Sequence, residues 1–151
     1  MAGGGVRKIL YPIVGAMLGL GPTVGSAAGA TAVLDHFGLI GTWASDCAVA
    51  VTASRPGFRI IFADPPGSAP TYTTISSDSG VRMTIHSAVI GSVSVDGMRL
   101  KLLLRITGGD RDGGPLPSPT TNTFEQTIEM VAGDRIRLLG AAPQLLERCR
   151  D

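Results

Sequence analysis

Apolar and polar side chains alternate with a period of two along much of this chain, most cleanly where Met98, Leu100, Leu102, Leu104 and Ile106 take one face and Arg99, Lys101, Leu103 and Arg105 the other. A period of two is that of a strand with one buried face. Asp96-Gly97, between Val93–Val95 and this segment, is a hairpin signal. Upstream, Val81, Met83, Ile85 and Ser87 oppose Arg82, Thr84, His86 and Ala88, and the alternation slips near Val89-Ile90-Gly91, which predicts a bulge. Further strands are predicted from Leu39 toward Ala53, with Trp43 and Cys47 on one parity, and over Phe58–Phe62, Thr71–Ile75, Thr121–Val131 and Arg135–Leu139, where Ile136 and Leu138 point inward.

Turn residues separate these segments. Pro56-Gly57, Ser76–Gly80 and Ala132–Asp134 read as turns, the prolines of Ala63–Pro70 exclude a central strand, and Gly108–Pro119 reads as a flexible loop. Thr31–Phe37 is expected to be a lead-in too brief for an independent helix, and Ala142–Cys149 fits a short helical turn or a final strand. Long helical periodicity is absent. The predicted fold is all-β: a small antiparallel up-and-down barrel, lipocalin-like, of six to eight strands, whose closure hides strand edges.

The first thirty residues follow a different rule. Arg7 and Lys8 precede an apolar run, Ile9–Leu20, and the small residues Ser26-Ala-Ala28 and Ala28-Gly-Ala30 follow, the layout of a secretory signal cleaved after Ala28 or Ala30. A retained anchor spanning Ile9–Leu34 is the alternative. Residues 1–30 are thus read as signal peptide and 31–151 as one barrel domain, periplasmic or secreted. Without Arg7 and Lys8 the chain has 11 basic against 12 acidic residues, scattered singly, which argues against a nucleic-acid surface.

Export favours a disulfide, and Cys47 and Cys149 permit one intramolecular pairing across 102 positions. They make no metal site with His36 or His86, whose spacing fits no ligand set, and no cofactor motif is present. Trp43 is expected to lie across the closed end of the barrel under a stacked arginine, Arg137 or Arg148. The row Met98, Leu100, Leu102 and Leu104 admits two uses, a filled interior or the lining of a cavity for a small apolar ligand. His86 with Glu125 or an aspartate would suit an uncharacterised hydrolase, but Ser87 points to the opposite face and no carboxylate has a spacing that selects it. Glu125, Glu129, Asp110, Asp112 and Asp134 read as a solvated face and turns.

Gly41-Thr-Trp43, Cys47, Gly133-Asp-Arg-Ile-Arg137 and Leu146-Glu-Arg-Cys149 together resemble a group of small, largely uncharacterised exported proteins of alphaproteobacteria, over most of residues 39–149. In that group the segment before the terminal cysteine is longer than Leu138–Leu145, so the resemblance implies a barrel short of one strand and incompletely closed. Gly41 and Trp43 also resemble the Gly-x-Trp motif of lipocalins, which implies an apolar ligand. Similar barrels act as periplasmic protease inhibitors through an N-terminal arm, which Thr31–Gly38 would supply. The expected function is a non-enzymatic exported barrel that binds a small apolar ligand, with a protein-interaction or inhibitor-like module as the alternative.

Overall fold

The computed structural model describes residues 27–116 and 122–150. A helix, α1 (Ala27–His36), precedes β1 (Gly41–Ala44), β2 (Gly57–Ala63), β3 (Thr71–Asp78), β4 (Val81–Asp96), β5 (Arg99–Arg111), β6 (Gly114–Pro115), β7 (Thr123–Ala132), β8 (Arg135–Leu139) and β9 (Gln144–Arg148). Each long strand pairs antiparallel with its neighbours, and β9 returns to β1, so eight strands close into an up-and-down barrel. The two-residue β6 folds back on the end of β5. Closure leaves no exposed ladder along the ring, which the Gly- and Thr-rich strands would otherwise present to water.

The expected gap is filled by the chain end. Gly140–Pro143 makes a short turn and Gln144–Arg148 forms β9, with Leu146 buried and Leu145 exposed. The barrel therefore closes with eight strands despite the short segment after β8.

Side chains follow the alternation. Leu100, Leu102 and Leu104 are fully buried and join Trp43, Ile60, Phe62, Tyr72, Val89, Ile128, Ile136 and Leu146 in one cluster. A bulge falls between Val89 and Gly91 as the pattern predicts, with Ile90 the extra residue, so that Ser92 and Ser94 oppose Leu102 and Leu100. A second shift leaves Thr107 unpaired on β5, between the pairs Ser87–Ile106 and His86–Gly108. Just beyond it, Gly109 packs so closely on β4 that a Cβ there would enter the shell of the Thr84 carbonyl oxygen and stand 2.7 Å from Leu116 Cδ1.

Two predicted elements differ. The first strand stops at Ala44, because Ser45 turns its hydroxyl onto the backbone: its Oγ accepts from the Phe58 N–H at 3.1 Å. Asp46 then accepts from the Ala48 N–H at 2.9 Å, bending the chain away. Cys47 thus lies in a loop and shares no strand face with Trp43. The lead-in is a helix after all, since it begins at Ala27 and docks on β4 with Ala30 and Leu34 buried in the core cluster. Tertiary burial stabilises a helix too short to stand alone. The boundary expected at residues 30 and 31 falls inside α1, and the leader up to Ser26 lies outside the described residues.

Helix and barrel meet at one end, where a latch closes the ring. Trp43 is 2% exposed, and its Nε1 donates to the Leu39 carbonyl at 2.8 Å. The Arg148 guanidinium lies 5.2 Å from the Trp43 ring centroid, and its Nη2 donates to the Ile40 carbonyl at 2.6 Å. Gly41, at φ +132°, admits this cation: a Cβ there would be strained and 3.5 Å from Arg148 Nη2. Arg148 is thus the stacked arginine, and Arg137 is not; Arg137 pairs on the barrel exterior with Glu129 at 2.6 Å. Cys47 and Cys149 are joined in a disulfide across 102 positions, and the Cys149 N–H donates to the Thr42 carbonyl at 2.9 Å.

Replacing Arg148 by alanine should lower stability by about 2–3 kcal/mol, the scale of a charged hydrogen bond plus a partly buried cation–π contact. Arg148→Lys should recover only part, as a point charge cannot both stack and reach Ile40; urea denaturation of the three proteins checks both. Cys149→Ser should cost about 2–5 kcal/mol, and peptide mapping without reductant should yield a Cys47–Cys149 fragment rather than two alkylatable thiols. Gly109→Ala should destabilise by about 1–3 kcal/mol through overpacking against backbone, and an unchanged urea midpoint would refute that reading of the β4–β5 contact.

Candidate functional site

The inward row predicted on β5 divides in two. Leu100, Leu102 and Leu104 are fully buried in the core cluster that Leu39 and, from α1, Ala30 and Leu34 also join, and they fill the interior there. Met98 is 57% exposed and belongs to the hairpin turn, so it lines no interior. The cause is Asp96: its Oδ1 accepts from the N–H groups of Met98 and Arg99 at 2.9 and 2.8 Å, and its Oδ2 binds Arg99 at 2.6 Å. This closes the turn at Gly97-Met98, one residue later than the pattern implies. The Met98 N–H and then the Arg99 side chain hold the Asp96 carboxyl below the usual carboxylate range. Its capping is thus present above the ordinary carboxylate pKa and is lost as pH falls through the lowered one.

Toward the opposite end the interior changes character. Cross-strand register carries the inward face from Ile60 and Phe62 on β2 to Tyr72 on β3 and Ser87 on β4, all buried. Continuing with a period of two, the same face presents Phe58, Met83, Ile85, Ile106 and Phe124, each only partly buried. These five therefore form an apolar, incompletely buried set of inward side chains, a cup, at the end away from α1, with Phe58 and Phe124 also packed against the core cluster. Polar groups are interspersed: Thr74 and Ser76 face inward on β3, and Gln126 is satisfied by the carbonyls of Thr127 and Leu139 at 3.0 Å each. At the base of the cup, Ser87 Oγ is buried with no hydrogen-bond partner among the described residues. Beside it Tyr72 is buried, which pushes its phenol well above the ordinary range and keeps it neutral.

The groups weighed for catalysis are not brought together. His86 is exposed on the outer wall, and its Nδ1 lies 3.1 Å from Thr73 Oγ1. Register places His86 opposite Gly108 and Glu125 opposite Leu103, so five residues of β5, roughly 16 Å at strand rise, separate their positions. Glu125 pairs with Lys101 at 3.4 Å, Asp110 with Arg82 at 3.7 Å and Asp134 with Arg150 at 2.9 Å, all on the surface. Among the described residues no three His, Cys, Asp or Glu side chains gather as a metal site, and no helix is long and apolar enough to cross a membrane. Of the expected inhibitory arm, Thr31–Gly38, the part up to His36 is docked as helix against the barrel, with Thr31 Oγ1 donating to Asp64 Oδ1 at 3.1 Å.

The cup was hidden in the sequence by an ambiguity of sign. Alternation over Val81–Ser87 groups Met83, Ile85 and Ser87 but does not say which face is inside, and Phe58 and Phe124 join them only through the register of strands distant in sequence. A scan against protein-family models, a search of curated proteins and a search of solved structures each find no match to this chain.

Proposed function

We propose that this protein is an exported, non-enzymatic binder of a small apolar molecule, held in the open half of the barrel. The observation that carries the reading is the partial exposure of Phe58, Met83, Ile85, Ile106 and Phe124, which face inward in a closed barrel whose other end is filled and covered by α1. Eight-stranded barrels have room for either packed side chains or one small ligand, and here the two uses are divided between the ends. A mostly apolar cup with a few polar groups suits a compact apolar ligand bearing one hydrogen-bonding group, which Ser87 Oγ would meet. The leader, the disulfide and the likeness to exported alphaproteobacterial proteins support a periplasmic or secreted setting. The protein-contact alternative draws on Val93, Val95, Met98 and Val131, large apolar side chains exposed around the hairpins of the latched end.

Native mass spectrometry of protein purified from its exporting host should reveal a co-purified small molecule, and an apolar naphthylamine probe should bind with enhanced fluorescence. Ile85→Gln or Ile106→Gln should weaken the probe about 5- to 30-fold, equivalent to about 1–2 kcal/mol of lost apolar burial. Met98→Ser should leave it unchanged. Absence of probe binding, or equal losses in all three variants, would overturn the assignment of the cup.

A further inference from the structure

We propose that the outer wall of the barrel carries a second site, for a small oxyanion of the carboxylate or phosphate kind, beneath the loop that joins β1 to β2. That loop, residues 45–56, lies as a flap over β2 and β3. Its root is the Cys47–Cys149 disulfide, its Val49 carbonyl accepts from Arg59 Nη2 at 3.3 Å, and Val51 Cγ2 stands 3.2 Å from where a Cβ on Gly57 would be. Val51, Thr52 and Ala53 form one bank of an open cleft of about 570 Å³, and Arg82, Asp112 and Gly113 form the other.

The wall under the flap is built unlike the rest of the exterior. Ile75 faces outward there, with Arg59 opposite it on β2, Thr84 opposite it on β4 and Ser77 two residues along β3 on the same face. Ser77 and Thr84 are 6% and 5% exposed, although they lie on the outside of the barrel. Ser77 Oγ, Thr84 Oγ1 and Arg59 Nε are all buried without a hydrogen-bond partner among the described residues. An unpaired buried donor costs about 1–3 kcal/mol, so three around one residue form a set of groups awaiting acceptors. All three are able to donate.

Charge selects the class of acceptor. Arg59 forms no ion pair with a described residue, so a cation stands under the flap without its counter-charge. The acidic groups on the far bank are engaged: Asp110 Oδ1 lies 3.7 Å from Arg82 Nη1 and accepts from the Gly113 N–H at 3.3 Å, and Asp112 Oδ1 accepts from the Arg82 N–H at 2.8 Å. An oxyanion supplies acceptor oxygens for the three donors and neutralises Arg59 at once, in the charge-assisted geometry that guanidinium favours. A neutral ligand would leave the charge, and a cation would be repelled by it. Val51 and Ala53 give the cleft an apolar side, so a carboxylate with a small apolar body fits as well as inorganic phosphate.

The test is a titration of the full, disulfide-bonded, isotope-labelled chain with sodium benzoate, inorganic phosphate and benzamide, following the Arg59 Nε–H resonance and the amides of Val51–Ala53. Saturable shifts with benzoate or phosphate and none with benzamide are expected, and the more tightly bound of the two anions identifies the source of the oxyanion. Arg59→Gln and Thr84→Val should each weaken binding about tenfold or more, as loss of a charge-assisted hydrogen bond does. Thr84→Val should not lower the melting temperature of the unliganded protein, since it removes a hydroxyl that has no partner, so a folding defect cannot imitate the effect. Ile106→Gln, in the barrel mouth, should leave these shifts intact, which separates this site from the apolar cup. No saturable shift with either anion, equal binding of benzamide, or unchanged affinity in both Arg59→Gln and Thr84→Val would overturn the proposal.

Discussion

The ring depends on its narrowest seam, the pairing of β1 with β9. Only Trp43–Arg148 and Ala44–Glu147 are register partners there, whereas β3 and β4 pair continuously from Thr71–Ala88 to Asp78–Val81. A ladder so short cannot hold two ends of a barrel closed by backbone bonds alone. Side chains complete it: Arg148 bridges from the last strand to the Trp43 ring and the Ile40 carbonyl, and the disulfide rivets the chain just beyond β1 to the residue just beyond β9. Sequence-distant groups thus close the ring, and the interior they enclose can then exclude water.

The same seam shows what was legible and what was not. Rarity singles out Trp43, Cys47 and Cys149, and their residue types imply structural roles, but the sequence does not choose between Arg137 and Arg148 because local pattern carries no register between the first strand and the last. Leu100, Leu102 and Leu104 were readable because a period of two is a local property. Met98 shares that period and still lies outside the row, because the Asp96 carboxylate sets the turn, a side-chain-to-backbone effect that hydrophobic alternation does not encode. The helix is illegible in the sequence for a related reason: its stability comes from Leu34 docking on the barrel, and its first residues fall in a stretch that reads as a processing site.

Stability is also distributed unevenly around the barrel. Trp43, Leu39, α1 and the leucine row are concentrated at one end, and the inward residues of the other end are left partly exposed. A domain with one filled core can keep a concave, incompletely buried surface elsewhere at modest cost, and binding surfaces are drawn from such regions. The short β1 contributes here as well, since ending it at Ala44 frees residues 45–56 to cross the outer wall as a flap.

A strand shows alternate residues to opposite faces, so one stretch of wall serves two environments. On β3 and β4, Ser76, Met83 and Ile85 face the cup, while Ile75, Ser77 and Thr84 face the flap. This accounts for polar residues buried on the outside of a barrel and apolar ones partly exposed within it, an inversion that a simple inside–outside rule would count as error. The close approach of Gly109 to Thr84 fixes the spacing of β4 and β5 beside both surfaces. A change of side chain there should therefore be felt on the two faces together, whereas changes at Thr84 or Ile85 should each stay on their own side of the sheet.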